Sequence, residues 1–205
     1  MSFVPLFLHI LYVFVAIAFG DPHVVTLDGH QYTFNGKGEY TYLETIDGSF
    51  VSQCRLEQAV DASGLPTQAT VFTAIVAKTN TSDVVQMEVV NGNEIEICVN
   101  GVVLDFSITS CQWYAGVAVT RRVNGTVSLS FDGGYFMEVG GENDILSLIK
   151  VTLPDRERGR TQGLLGNYNG NSSDDLIPRG ASEPIPVGSS LQEIHNQFGI
   201  SCEFS

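Results

Sequence analysis

The stretch Gly163-Leu164-Leu165-Gly166-Asn167-Tyr168-Asn169-Gly170-Asn171-Ser172-Ser173-Asp174-Asp175-Leu176 sets five side-chain oxygen donors into a glycine-flanked loop. They are Asn167, Asn169, Asn171, Asp174 and Asp175. Ca²⁺ takes six to eight hard oxygen ligands from carboxylates, amides and backbone, and a tightly turned Asn/Asp loop supplies that mixture. Mg²⁺ keeps more of its waters and wants fewer protein ligands. A twelve-position EF-hand ending in Glu is absent. The plain alternative is a solvated Asn/Asp/Gly turn.

Around this loop the chain has the texture of a globular β protein. Its 205 residues suffice for one well-buried domain. It is 43% hydrophobic and only 16% charged, which separates it from disordered chains. The formal net charge of −13 excludes nucleic acid as a natural partner, since no basic patch exists to neutralise phosphates. The same charge suits a calcium-bearing extracellular surface.

From Val24 to Val151, short alternating runs are broken by Asn-Gly, Asp-Gly and Gly-Gly. That is the signature of antiparallel hairpins. With a two-residue turn at Asn100-Gly101, Val99 opposes Val102, Ile97 opposes Leu104 and Ile95 opposes Phe106, all on one apolar face. With a three-residue loop at Asn91-Gly92-Asn93, Val85, Met87 and Val89 oppose Val99, Ile97 and Ile95. That register sets Glu88 against Glu96, a small cost on a wet face. Further strands are expected over 119–123, 127–131 and 135–139. Tyr32, Phe34, Tyr40 and Tyr42 alternate with polar residues and read as core. Pro154 to Gln162 is a polar loop, and Arg156, Arg158 and Arg160 read as a salt-bridged surface. Leu191 to Phe198 reads as a short helix, with Ser190 and Glu193 forming a capping box.

Residues 1–18 read as a signal peptide. Phe3 to Phe19 is apolar except for Pro5 and His9, and Ala16-Ile17-Ala18 is a small-x-small pattern, giving a cut after Ala18. An uncleaved N-terminal anchor is the alternative, and would be the only route to a membrane. Behind a leader, the four cysteines Cys54, Cys98, Cys111 and Cys202 imply two disulfides. Cys98 falls on the outer face of its hairpin, and Cys111 lies beyond the hairpin end. Asn80, Asn124 and Asn171 begin N-glycosylation sequons.

A second segment joins the loop to a known family. Phe19-Gly20-Asp21-Pro22-His23 leads into Thr26-Leu27-Asp28-Gly29 and Tyr32-Thr33-Phe34-Asn35-Gly36-Lys37-Gly38-Glu39-Tyr40. With Gly163 to Gly170 far downstream, residues 19–205 resemble a von Willebrand factor type D domain, most of all the versions in transmembrane mucins and sushi-domain surface proteins. The resemblance implies an all-β antiparallel sandwich or meander with a calcium-binding loop and a short C-terminal helix. It implies a non-enzymatic structural or adhesive role among extracellular and cell-surface proteins and glycoproteins. It implies a metal site of Asp21, Asn167, Asn169, Asp174, Asp175 and the backbone carbonyl of Asn171. One acidic ligand usual in the family is Asn169 here. The cysteines that flank the family's Gly-Leu dipeptide are replaced by Gln162 and Leu165. The family usually has Trp near the position of Cys202.

Two further readings remain open. In some mucin-type relatives the Gly-Asp-Pro-His motif is cut between Asp and Pro. Asp21 can attack its own peptide carbonyl and expel the Pro22 nitrogen, with His23 shuttling a proton at mildly acidic pH. The competing reading of Asp21-Pro22 is a structural turn. A calcium-dependent carbohydrate-binding sandwich would need exposed Trp or Tyr beside the metal, and Trp113 is the one tryptophan. Catalysis on other molecules lacks parts. His9, His23, His30 and His195 are the only histidines, no nucleophile elbow occurs, and the cysteines lack zinc spacing.

Overall fold

Two antiparallel sheets carry the fold. The structure is a computed structural model, and it describes residues 15–20, 22–90, 92 and 94–204. The described residues begin within one sheet with β1 (Val15–Phe19), β2 (His23–Val25) and β3 (Gln31–Thr33). It then crosses to the second sheet and meanders through β4 (Gly38–Thr45), β5 (Phe50–Val60), β6 (Pro66–Thr79), β7 (Val85–Val89), β8 (Ile95–Val99) and β9 (Val102–Val103). It returns for a second meander of β10 (Cys111–Tyr114), β11 (Val117–Arg121), β12 (Val127–Phe131), β13 (Phe136–Glu142) and β14 (Ile145–Thr152). The first sheet therefore runs β10-β11-β12-β13-β14-β1-β2-β3. The second runs β15-β4-β5-β6-β7-β8-β9, where β15 is Thr161–Gln162.

Alternation drives the layering. Along β5, Phe50, Ser52, Cys54 and Leu56 point inward while Val51, Gln53 and Arg55 are less buried. Aromatic rings join the sheets. Phe50 stacks on Tyr135 at 5.0 Å and meets Phe131 edge-on at 5.7 Å. The Tyr42 hydroxyl donates to the Ile149 carbonyl across the core at 3.3 Å. Tyr32, Phe34, Tyr40 and Tyr42 are all buried, as their alternation implies.

The β7–β8 register is the expected one. Val85, Met87 and Val89 face Val99, Ile97 and Ile95, and Glu88 faces Glu96. Arg55 relieves that like-charge pair by reaching Glu88 at 3.4 Å. Asn91 and Asn93 lie outside the described residues. The β8–β9 hairpin departs from expectation. Val99 pairs with Val102 and the Leu104 N–H reaches the Ile97 carbonyl, but strand pairing stops there and Ile95 has no partner in Phe106. Of the expected row, Val102 is exposed while Leu104 packs partly against the core. Phe106 instead packs partly against the core beneath the Arg121 guanidinium, 5.2 Å from its ring.

The β1 strand occupies the joint between the two ends of the first sheet. It pairs with β14 from Val15↔Thr152 to Phe19↔Leu148, and with β2 from Ile17↔Val25 to Phe19↔His23. Ala16 and Ala18, which suggest a cleavage pattern in the bare sequence, are the fully buried inward side of this strand. A cut after Ala18 would fall inside it. Residues 1–14 of the expected leader lie outside the described residues.

The expected helix is present as one capped turn, Leu191–Glu193, followed by a wider π-type turn over Ile194–Phe198. Ser190 and Glu193 form the capping box, and Ile194 and Phe198 are buried. Leu191 is exposed instead of sharing their face.

All four cysteines of the expected disulfides stand as free thiols in this structure. Cys98 lies on β8 beside Glu88 and Glu96, and Cys111 lies on β10 in the other sheet. Cys54 and Cys202 are both buried, and burial pushes the Cys202 thiol up to about 11.

Because Ala18 is fully buried between β14 and β2, Ala18→Leu should destabilise the protein by about 1–3 kcal/mol through overpacking. Phe19→Thr, at a half-exposed position on the same strand, should cost less than about 1 kcal/mol. Urea unfolding of both variants checks this. Equal midpoints would mean that β1 is not part of the cooperative core.

Candidate metal-binding loop

The second sequence motif is held in place by backbone hydrogen bonds on both sides. The Leu164 and Leu165 N–H groups donate to the Thr41 and Tyr42 carbonyls of β4, each at 3.1 Å. On the other side the Leu165 carbonyl accepts from the Leu27 N–H at 3.1 Å, and the Leu164 carbonyl accepts from the Tyr32 hydroxyl at 2.6 Å. Both leucines are buried. Gly163 is required here, because a Cβ would sit 2.9 Å from the Thr41 carbonyl at a φ of +110°. Gly166 has a φ of +80°, and a Cβ on it would collide with the Asp175 carboxylate.

The loop that follows is a ladder of Asx turns. Asn167, Asn169 and Asn171 each accept, through Oδ1, the N–H two residues on, at 3.2, 2.7 and 3.3 Å. Their Nδ2 groups converge on Asp174, at 3.0, 3.1 and 2.9 Å. This amide collar, led by Asn167, holds the Asp174 carboxyl below its ordinary range.

Asp175 turns the other way, into the protein. It accepts from the Thr26 hydroxyl at 2.6 Å and from the Asn167 N–H at 3.3 Å. Burial pushes its carboxyl up to about 6, opposed by the Thr26 hydrogen bond and assisted by the neighbouring charges of Asp28 and Asp174. Thr26 is itself fixed by a turn, its N–H donating to the His30 carbonyl and its hydroxyl accepting from the His30 N–H, both at 2.9 Å.

At the tip of that turn stands Asp28. Its two carboxylate oxygens accept from the Asn169 and Gly170 N–H groups at 2.7 and 2.9 Å. Sequence reading passed over Asp28, although it lies in the Thr26-Leu27-Asp28-Gly29 motif. The Asp28-Gly29 dipeptide marks a turn in the sequence, but no local pattern sets that turn against the Asn/Asp loop.

The structure thus brings Asn167, Asn169, Asn171, Asp174 and Asp175 together, and adds Asp28. Asp21 lies outside the described residues. Among the described residues no three Asp, Glu, His or Cys side chains converge on one metal position. Asp174 faces the collar, Asp175 faces Thr26, and Asp28 faces backbone. The donors nevertheless match a hard cation in kind: carboxylates from two turns of the chain, amide oxygens and carbonyls. The expected salt-bridged surface is present nearby, with Arg156 on Glu157, Arg158 on Asp155 and Arg160 on Asp47. Trp113 is highly exposed, but on β10, at the opposite edge of its sheet from β3.

A two-sheet antiparallel β domain whose N-terminal turn locks onto a downstream Asn/Asp loop is the class of module that this fold and site define. The family model for the von Willebrand factor type D domain matches residues 16–180, and the chain belongs to that family. It is similar to human Sushi domain-containing protein 2, 34% identical over 88% of this chain and 22% of that protein. It is also similar to human Mucin-4, 34% identical over 91% of this chain and 4% of that protein. Protein mesh of Bombyx mori is 32% identical over 90% of this chain and 12% of its own length. The chain therefore spans less than a quarter of each of these relatives. The module is that of secreted and cell-surface proteins, and no described helix is long and apolar enough to cross a membrane.

A pH test follows from Asp175. Its carboxyl is raised in the folded protein, so the unfolded chain ionises first as pH rises through about 4. In chelator, stability should fall between pH 4 and pH 6, by on the order of 2 kcal/mol, and then level off. Asp174 and Asp47, whose carboxyls are lowered, contribute stability that is lost only below that window. Asp175→Asn should flatten the fall, as read from urea midpoints across the range. An unchanged slope in the variant would assign the titration elsewhere.

Proposed function

We propose that this chain is a calcium-stabilised structural module for extracellular or cell-surface assemblies, acting through its folded surface and not as a catalyst. The observation that carries this is the joining of the Asp28 turn to the 167–175 loop, which sets three carboxylates around one short stretch of chain. Asp28, Asp174, Asp175, Asn167, Asn169 and the Asn171 carbonyl are the donors that would hold Ca²⁺. The ion supplies charge neutralisation there and no chemistry. Asn167 and Asn169 would have to present amide oxygen to it in place of the Nδ2 groups that face Asp174. Adhesive contacts with extracellular proteins or glycoproteins would then rest on a surface held rigid by the ion.

Saturating Ca²⁺ at a hundred times its Kd should add roughly 2.7 kcal/mol by mass action. At about 2–4 °C per kcal/mol for a domain of this size, the melting temperature should rise by about 5–10 °C. Asp28→Ala and the double variant Asp174→Ala/Asp175→Ala should each remove most of that rise. A melting temperature indifferent to calcium and chelator in the unmutated protein would overturn the assignment. A rise that persists in Asp28→Ala would return the N-terminal ligand to Asp21.

A second reading, self-processing between Asp21 and Pro22, is favoured by where the bond falls in the chain. Phe19 and His23 pair across β1 and β2, so the Asp21-Pro22 bond lies in the connection between two strands. Asp21 itself lies outside the described residues. His23 is exposed, with Nδ1 3.1 Å from the Thr33 hydroxyl. In the reaction the Asp21 carboxylate adds to its own carbonyl carbon, and the C–N bond to Pro22 breaks as that nitrogen takes a proton. Water then opens the cyclic anhydride.

The two pieces should stay together, because β1 keeps its pairing with β14 and β2. After incubation at mildly acidic pH, the fragments should co-elute in native gel filtration, separate only in denaturant, and be absent in Asp21→Ala. An intact mass unchanged after prolonged acid incubation would dismiss this reading.

A further inference from the structure

The outer faces of the two sheets differ in kind. On the second sheet, one row of cross-strand neighbours runs Glu39, Arg55, Ala74, Glu88 and Glu96. Three acids and a base in one row make a solvated face, the ordinary outer side of an antiparallel sheet. The outer face of the first sheet is largely apolar. Trp113, Phe136, Leu148, Ile17, Phe19 and Val25 lie on it, alternating along their strands with residues of the core. Trp113 is 80% exposed and Phe19 43%. An apolar face of this breadth marks a surface made to meet another.

The charges on that face indicate the partner. One row crosses all eight strands, from Cys111 on β10 to Gln31 on β3, each residue paired with the next. Glu138 and Lys150 are the fourth and fifth residues of the row, adjacent at its centre, and the only charged ones in it. Lys150 Nζ stands 3.7 Å from Glu138 Oε2, and Arg122 Nη1 holds Glu138 Oε1 at 2.7 Å. This cluster carries one net positive charge on a chain of formal charge −13. Two copies that meet here avoid the repulsion between their acidic surfaces.

We propose that this face docks a second copy of the chain, sheet against sheet, about a two-fold axis that runs along the strands between β13 and β14. That rotation sets each Glu138 against Lys150 of the partner copy, so the centre is self-complementary in charge. The ammonium has three N–H donors, enough to serve its own Glu138 and a second carboxylate. In the same row Ser128 meets Ile17 and Thr120 meets Val25. In a neighbouring row Leu148 meets Gly140, large against small. Sheet twist displaces the outer strands and leaves the centre in register. The strands of this sheet average about five residues. At ~4.8 Å between strands and ~3.4 Å per residue they span roughly 34 Å by 17 Å, about 600 Å² per copy. A total of about 1,200 Å² is the lower end for a specific interface, so dissociation falls at micromolar concentration. The dimer does not rest on calcium.

Sedimentation velocity of the full chain from about 1 to 100 µM reads the association, and a denaturing non-reducing gel excludes thiol-linked pairs. The mass should rise from one chain to two across that range. Lys150→Glu and Glu138→Lys each set like charges together in both symmetric central contacts, and each should weaken the dimer by about tenfold or more. In an equimolar mixture of the two variants every central contact is again acid against base, and the dimer should return. Phe19→Glu, at a half-exposed position, should also weaken it while leaving the urea midpoint nearly unchanged, which keeps the test open if a charge variant fails to fold. A chain that stays monomeric up to about 100 µM would overturn the proposal. So would a dimer indifferent to all three substitutions, which would place the contact on another face. Two folded charge variants whose mixture stays monomeric would overturn the two-fold arrangement.

Discussion

The fold depends on one backbone insertion, the Gly163–Gly166 segment held between β4 and the Leu27–Tyr32 stretch. Its N–H groups satisfy the Thr41 and Tyr42 carbonyls on one side, and its carbonyls satisfy Leu27 and Tyr32 on the other. Leu164 and Leu165 can therefore be buried without leaving peptide groups unpaired, which interiors rarely tolerate. The glycines at each end permit that approach. At Gly163 a side chain would strike β4, and at Gly166 it would strike the Asp175 carboxylate. The insertion also sets the position of everything that follows it, since Asn167 begins one residue after Gly166.

This arrangement explains why two motifs more than a hundred residues apart read as a pair. The Thr26–His30 turn does two jobs. Thr26 supplies a hydroxyl to the buried Asp175, and Asp28 fixes the outer limb of the loop through two N–H groups. Each motif alone would be a polar turn with unmet hydrogen bonds. Together they close the gap between the start of the first sheet and the β4 edge of the second. The cooperative unit then extends from β1 to the loop, because β2 connects them through only three residues.

Much of this architecture is legible in the sequence where the physical signal is local. The β7–β8 register follows from strict alternation and a glycine loop, and the Ser190–Glu193 box follows from cap chemistry. The misses have physical causes. After Asn100-Gly101, Val102, Leu104 and Phe106 read as one row opposite β8, but strand pairing ends at Val103 as the chain leaves for the other sheet. At the N-terminus, an apolar run punctuated by alanine describes a secretory leader and a buried strand equally well. Ala16 and Ala18 are small because they face a filled core, a long-range fact that no local pattern contains. The loop ligands are legible by donor type, while the role of Asp28 requires knowing which turn lies against which loop.

The orientation of the two adjacent acids also carries meaning. Asp174 and Asp175 are neighbours in sequence, yet one is surrounded by three amides and lowered while the other is buried and raised. Opposite shifts on consecutive carboxylates arise because the chain turns between them, sending one side chain into the collar and the other beneath Gly166. The inner acid carries the energetic penalty, since Thr26 and one N–H only partly offset its desolvation. A divalent cation relieves a penalty of that kind most effectively when it also binds the outer acid, because one charge then compensates both. The collar amides hold Asp174 in place in this structure, so hydrogen bonds within the loop set its backbone path. Arg158, close to this loop, lies over the Tyr168 ring at 5.0 Å and is bonded to Asp155.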